Sequence, residues 1–449
     1  MKRRLVLIQL KESFSSLRHA NFKRFTAGQS ISLIGTWVQN IAQPWLVLEI
    51  TSSPILLGTI VAAQTLPQML FTFFAGSLID RYPKKRILLI TQSSYFCLAL
   101  FLSLLVYAQW VVYWHVLLIA LLFGLMNSID MPARQAYMME LVGREDLNNA
   151  IGINSSIFNL ARIIGPSIGG LLISSVGLAA CFLINGLSYL AVIYQLIKID
   201  TPFQIKVKEK LHLKTLISDM KNGIKYVLQN KSMRYIFTLF MILGIFALNF
   251  SVLNPVLVKR DFSLDAVGLS FLMTCMGIGA LIGALSVVFL KTRKPSLSNI
   301  LLMSTGFSLS QILLGLSSSF GMVCFFMACT GLFMVLFSTM INSKIQLDTE
   351  DAYRGRVMSF YVFVFIGLSP IGSIYAGILS SMLGGRMSYL ISGVIALVAT
   401  IIIWLLINQM KDLIRACRKI GKITLCALHD ENTWHKKKEQ EHGLPPLKS

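Results

Sequence analysis

Negative charge is scarce in this sequence. It has 20 Asp and Glu against 41 Lys and Arg in 449 residues, and charged residues of both signs make up only 14% of it. No carboxylate falls in the middle of a long apolar run, and Glu49 lies only at the end of one. Cysteine is sparse and unpatterned: Cys97, Cys181, Cys275, Cys324, Cys329, Cys417 and Cys426 form no CxxC pair. Neither a disulfide frame nor a zinc site is expected, and the thiols read as small buried hydrophobes. None of the six histidines lies deep within an apolar run, which leaves a histidine proton relay unsupported. There is no phosphate-binding GxxxxGK[ST] loop, no GxSxG elbow and no HExxH. ATP-driven transport and hydrolase chemistry therefore have no support; no enzyme activity, cofactor or metal is expected. A membrane-embedded acyltransferase would need a His-Asp pair near one interface, and none is seen. The amino end opens with Met1-Lys2-Arg3-Arg4 and then only Leu5 to Leu10 before Lys11. That run is shorter than the apolar core of a secretory leader, about 7 to 15 residues, so no cleaved signal is expected.

What the chain has in abundance is apolar length. Its residues are 55% hydrophobic with a mean hydropathy of +0.68, and many stretches approach the roughly 20 residues that cross about 30 Å of hydrocarbon. Breaks rich in charge or turn residues delimit twelve expected spans: 24–49, 55–79, 87–108, 114–135, 149–175, 178–197, 235–258, 267–290, 298–317, 321–342, 356–382 and 387–409. The polar stretch 198–234 divides them six and six. With the amino end in the cytoplasm, all but four of the 41 Lys and Arg fall on the cytoplasmic side. Lys259, Arg260 and Arg386 fall opposite, and Arg162 lies inside span five. Such a bias is the positive-inside signal, so both termini are expected in the cytoplasm and the net charge of +21 needs no nucleic acid to explain it. Weak duplication accompanies the count, with Glu145-Asp146 answering Glu350-Asp351 and Pro166 answering Pro370. The basic cluster after span two has a thinner counterpart in Lys291, Arg293 and Lys294.

The segment after span two reads Gly76-Ser77-Leu78-Ile79-Asp80-Arg81-Tyr82-Pro83-Lys84-Lys85-Arg86. Gly76 permits a close helix approach, Asp80 sits where the span meets water, and the cations reach headgroups or acidic partners. This resembles the loop 2–3 signature of the major facilitator superfamily, G-x-L-a-D-r-x-G-r-k-r, with Pro83 in place of its second glycine. Span five carries Gly152, Ala161, Gly165, Pro166, Gly169 and Gly170. It is similar to the superfamily's antiporter motif, G-x8-G-x3-G-P-x2-G-G, with Ala161 replacing a glycine. Small residues allow close packing, and Pro166 removes a backbone hydrogen bond and permits a bend. Around span four, Asn127-Ser128-Ile129-Asp130-Met131-Pro132-Ala133-Arg134 and then Asn159-Leu160-Ala161-Arg162 resemble the branch that holds the enterobactin exporter and macrolide and drug efflux permeases. The similarity covers about residues 18 to 408.

The resemblance implies an all-α membrane protein of the major facilitator fold: twelve transmembrane helices in two six-helix halves, 24–197 and 235–409. A cytoplasmic amino end (1–23), a basic linker (198–234) and a basic tail (410–449) complete it. It implies a secondary active exporter in the bacterial cytoplasmic membrane, monomeric and working by alternating access with proton entry. The cargo would be a small organic solute, a siderophore, with multidrug or macrolide efflux as the alternative and facilitated import third. Gly76, Asp80, Arg81, Lys84, Lys85, Arg86, Asp130 and Arg134 would form the conformational latch. Asp130 is expected within reach of the loop 2–3 cations. The span-five motif would seal the outer side.

Arg162 lies about 21 Å into span five at 1.5 Å per residue, near the hydrocarbon midplane. A cation there costs about 2.5 to 3.5 kcal/mol on insertion scales unless it faces a polar interior. It is expected to point inward, either to bind an anionic substrate or to join a structural polar network. In span one, Ser32, Thr36, Gln39, Asn40 and Gln43 recur at three- and four-residue spacing. With Gln64 and Gln68, Asn154 and Asn159, and Asn249 and Asn254, they line a pathway or glue helices together. Trp37, Trp45, Phe250, Tyr361 and Tyr375 are aromatic candidates for the same pathway or for packing. In the linker, 211–217 and 224–228 read as a short amphipathic helix on the anionic leaflet. Lys436 to Lys438 read as a solvated charge run.

Overall fold

The computed structural model describes residues 15–200, 213–289 and 295–441, and among them the regular structure is entirely helical. A 3-10 turn, Ser15–Arg18, leads into α1 (Ala20–Thr51), α2 (Pro54–Arg81), α3 (Lys84–Tyr107), α4 (Tyr113–Val142), α5 (Leu147–Val176) and α6 (Leu178–Lys198). Then come α7 (Leu213–Gln229), α8 (Lys231–Phe246), α9 (Phe250–Val256) with a π-turn Leu257–Asp261, α10 (Ala266–Phe289), α11 (Leu297–Leu316), α12 (Phe320–Asp348), α13 (Asp351–Gly367) and α14 (Ser369–Glu441). The chain forms two compact units, Met1–Leu397 and Val398–Ser449. The second is the carboxyl part of α14, helical in backbone through Glu441; the side chains of Lys436 to Lys438 lie outside the described residues, as do Lys291, Arg293 and Lys294.

Short polar residues set the helix starts. The Ser53 side chain accepts from the Leu56 amide with Pro54 in the first turn, Asn230 accepts from Ser232 and Met233, and Ser296 accepts from Asn299. Among the described residues ten helical stretches are long and apolar enough to cross a membrane. The difference from the twelve expected spans lies at two places. Helix α1 is long enough at 32 residues, but Gln29, Ser32, Thr36, Gln39, Asn40 and Gln43 lower its hydropathy and it is not among the ten. At the other end Tyr353–Gln409 counts once, as 57 residues, although the backbone breaks within it. Span seven, expected continuous, is divided into α8 and α9 at Ala247–Asn249. The single short helix expected in the linker is present as α7; residues 211 and 212 lie outside the described ones.

One break is at Gly384, whose φ of 81° and ψ of 174° lie where a side chain is strained. The π-turn after α9 clips it from both sides. Arg260 Nη1 donates to the carbonyls of Ser380 (2.8 Å) and Ser381 (2.7 Å), capping the helix before the break. Asp261 Oδ2 accepts from the Arg386 amide at 2.6 Å, capping the helix after it. A cation at a C-terminus and an anion at an N-terminus each match the helix dipole.

Lipid tails are as apolar as leucine, so close approach replaces the hydrophobic effect as the reason helices pair. Helices α2 and α4 cross so tightly that a Cβ on Gly124 would lie 2.1 Å from the Gln64 carbonyl oxygen. Helices α10 and α12 repeat the arrangement, with Gly331 set 2.2 Å from the Met276 carbonyl oxygen by the same measure. Helix α1 packs on α5 and α6, and α3 on α4 and α6. Helix α5 packs on α10, and α2 meets α9 and α13. Helix α7 docks on α13, where Tyr226 stacks on Tyr353 with ring centroids 4.7 Å apart.

Candidate functional site

Side chains from α1 to α6 enclose a cavity of about 390 Å³ in the part of the bundle nearer Lys84. Most of the residues that line it are polar, among them Gln29, Ser32, Thr36, Gln39, Asn40, Gln64, Gln68, Asn127, Gln135, Asn154 and Asn185. Asn185 donates to Gln39 Oε1, whose own amide donates to Gln43 at 3.3 Å, so a buried chain of carboxamides links α6 to α1. Tyr95 stacks on Phe123 at 5.1 Å and on Tyr189 at 5.2 Å, making an aromatic wall.

Among the described residues Asp130 is the one carboxylate lining this cavity, and it is 2% exposed. Its Oδ1 accepts from Thr91 (2.7 Å) and Gln92 (2.8 Å), and its Oδ2 pairs with Arg134 one turn along α4. The expectation that it would reach the loop 2–3 cations is corrected here. Lys84 pairs with Glu140 at 2.8 Å, and Lys85 donates to the Ile199 carbonyl at 2.7 Å, at the end of α6. Glu140 lies ten residues beyond Asp130, about 15 Å along the helix, so the loop cations reach the end of α4 and not its polar interior. Exposed carbonyls at a helix end attract the second lysine. Arg81 and Arg86 are exposed; the side chain of Asp80 lies outside the described residues. Gly76 was expected to allow close packing, but among the described residues a Cβ there would meet nothing within 4 Å.

The span-five motif divides in the same way. Gly152 also has open space around it, whereas Gly165 lies against Trp37 and Gly170 against Ser270, where an added Cβ would come within 2.3 and 2.1 Å. Gly169 backs onto Val38, and Ala161 and Pro166 are buried. Ser167 and Thr274 hydrogen-bond at 2.9 Å, fastening α5 to α10.

A second cavity of about 230 Å³ continues the first, sharing Asn40 and Gln64. Gln43, Trp37, Phe250, Pro255, Met273 and Ser369 complete much of its wall. Beyond it the helices close: a Cβ on Gly58 would lie 2.5 Å from the Ser373 carbonyl oxygen, and the Lys259 ammonium sits 5.2 Å over the Trp45 ring. Trp45 in turn donates to Glu49 at 2.7 Å. At the Lys84 end α2 and α13 stand apart around a third cavity of about 380 Å³, lined by Thr72, Gly355 and Ser359.

Arg162 is half-buried. At about 100° per residue it falls opposite the exposed stripe Leu160, Ile164, Ile168 and Leu171. It continues the row of Asn154 and Phe158, which line the first cavity, but is not itself among the residues that line either cavity. Among the described residues its side chain has no ion pair and no hydrogen bond. Asn159 bonds back to the Ser155 carbonyl and Asn249 to the Ile245 carbonyl at 2.7 Å, and neither lines these cavities. Tyr95, Phe123, Asn185 and Tyr189 were not singled out in the sequence; isolated in apolar spans, they leave no periodic signal.

Residues 11–418 match the family model described as transmembrane secretion effector. The chain belongs to that family, within the major facilitator superfamily. The family places it among exporters of small solutes, as a multi-pass membrane protein. It is 25% identical over 396 residues to the staphyloferrin A transporter of Staphylococcus aureus, covering 87% of this chain and 97% of that one. It is 26% identical over 372 residues to the multidrug efflux pump Tap of Mycobacterium tuberculosis, covering 79% and 86%. A solved nucleoside transporter, NupG, shares the fold with a TM-score of 0.69 at 14% identity, covering 86% of this chain and 98% of that one.

Proposed function

We propose that the chain exports an organic anion of the siderophore type across a bacterial cytoplasmic membrane. Two six-helix halves, 24–197 and 235–409, would rock about the two joined cavities. The observation that carries this reading is Arg162, a half-buried cation near mid-depth with no protein partner among the described residues. An unpaired guanidinium in so apolar a setting calls for an anion, and the cargo supplies one. The bias of Lys and Arg supports an orientation with both termini and the Lys84 end in the cytoplasm. Tyr107, Trp110 and Trp114, exposed at 82%, 74% and 70%, then form an aromatic belt on the opposite surface. With that orientation the cavities face the cytoplasm, and Gly58, Ser373, Trp45 and Lys259 close the outside. Crossing twice between Tyr353 and Gln409, and once with α1, restores twelve spans.

Proton entry would drive the cycle. One charge moved down the membrane potential yields about 2.3 kcal/mol per 100 mV. Asp130 is the best-placed carrier, since a proton there releases Arg134; Asp80 and Glu49 are the other candidates. Efflux of amphiphilic drugs is the second reading, favoured by the apolar Trp37, Phe250 and Met273 in the deeper cavity and by the likeness to Tap.

Radiolabelled export from proteoliposomes and comparison of culture media from parent and deletion strains test this. Loss of Arg162 in Arg162→Ala is expected to cut transport of an anionic siderophore about 10- to 100-fold, the value of about 1.5 to 3 kcal/mol for a hydrogen bond to a charged group. Siderophore release unchanged by deletion, or by this variant, would overturn the reading.

A further inference from the structure

We propose that the 390 Å³ cavity recognises a hydroxyl- and amide-rich solute through side-chain carboxamides supplied by the first six helices alone. This rests on the export reading above and adds what holds the uncharged body of the cargo. Nine of the residues lining the cavity carry a carboxamide. A carboxamide both donates and accepts, which is the match for a hydroxyl or an amide and for neither a hydrocarbon nor a bare ion. The two charges in the wall, Asp130 and Arg134, are engaged with each other.

The amides are also free to bind. Among the described residues the side chains of Asn40, Gln64, Asn127 and Asn154 make no hydrogen bond to protein. Gln29 is 4% exposed, and its Oε1 has no partner. A buried polar atom left unpaired costs about 1–3 kcal/mol. A hydrocarbon-like ligand pressed on this wall would leave several such groups unpaired, and a polyhydroxylated one would satisfy them. Tyr95, Phe123 and Tyr189 offer a flat face for the ligand's C–H surface.

The arrangement is one-sided. From the second half the connected cavity receives Phe250, Ser251, Pro255, Met273 and Ser369, which carry neither a carboxamide nor a charge. Discrimination between cargoes belongs to the first half, and the second closes over what the first has chosen.

The test uses the purified full chain in detergent with simple probes. Radiolabelled D-gluconate carries hydroxyls and a carboxylate, hexanoate the same charge without hydroxyls, and sorbitol hydroxyls without charge. Equilibrium dialysis is expected to show gluconate binding at least about tenfold tighter than hexanoate. Gln64→Met and Asn154→Leu are each expected to weaken gluconate about tenfold, as for one lost hydrogen bond, with hexanoate unchanged. Met273→Ala is expected to move both probes by the same factor. Circular dichroism and thermal unfolding of each variant show that it is folded, and Gln64→Asn, which keeps the amide, is expected to retain part of the affinity that Gln64→Met loses. Hexanoate binding as well as gluconate, gluconate failing to bind at tens of millimolar, or Met273→Ala changing the ratio would each overturn the proposal. Arg162→Gln reads the other question: if it weakens gluconate and hexanoate alike, the anion reading stands whatever the hydroxyl dependence. If it changes neither while gluconate and sorbitol bind equally, the anion reading fails and the carboxamide site remains.

Discussion

Asp130 shows how a single buried group divides its duties. Removing its carboxylate leaves the Arg134 guanidinium, the Thr91 hydroxyl and the Gln92 amide facing an empty acceptor position in a low dielectric. Asp130→Ala is expected to destabilise the protein by about 3–5 kcal/mol, the cost of stripping one partner from a buried ion pair. Asp130→Asn keeps an acceptor oxygen and should cost markedly less; thermal unfolding in detergent compares the two. Asp146 gives a pH-dependent counterpart at the surface. It stands at the start of α5, where the Ser15 hydroxyl and then His19 Nε2, 2.7 Å away, hold its carboxyl below the ordinary 3.8. A depressed carboxyl pKa contributes stability that is complete above the unfolded value and lost as pH falls through the folded one. Protection of residues 15–19 against hydrogen exchange, measured relative to the intrinsic rate at each pH, is therefore expected to hold down to about pH 4 and to fall below it. Asp130 stood out in the sequence by its place in the span-four motif. Its partners were not, because they depend on how α3 lies beside α4. The α1 row of Thr36, Gln39, Asn40 and Gln43 was legible, since helical spacing puts these residues on one side.

Helices pair here where a missing side chain lets backbones meet. Gly170→Val would drive a branched side chain into Ser270 and spread α5 from α10. Because this contact lies towards the closed end, the variant is expected to leak, seen as faster passive efflux of a trapped solute from vesicles. Gly384→Ala would strain the backbone and push a methyl group towards Asp261, whose Oδ1 would be 2.6 Å from the new Cβ. It is expected to cost about 1–3 kcal/mol, read as a lower Tm. The glycine spacing of span five was plain in the sequence, but its partner helix and the idle position of Gly152 were not. The break at Gly384 was likewise hidden among other glycines, because the clip that requires it comes from residues 260 and 261, over 120 positions earlier.

At the scale of the whole chain, charge asymmetry and run length made the multi-pass architecture readable, while α1 carries a polar row because it lines a cavity. Single cysteines in a background without native ones test the orientation. Gln109→Cys is expected to react with an impermeant maleimide added outside intact cells, and Asp200→Cys only after lysis. The uneven wall of the cavities carries a consequence for how such a protein diversifies. Because the amides sit on one half, exchanging a few of them would, on the proposed reading, re-aim the machine towards another metabolite without disturbing the moving parts. A hybrid that joins the opening two hundred residues of one relative to the remainder of another should inherit its appetite from the former.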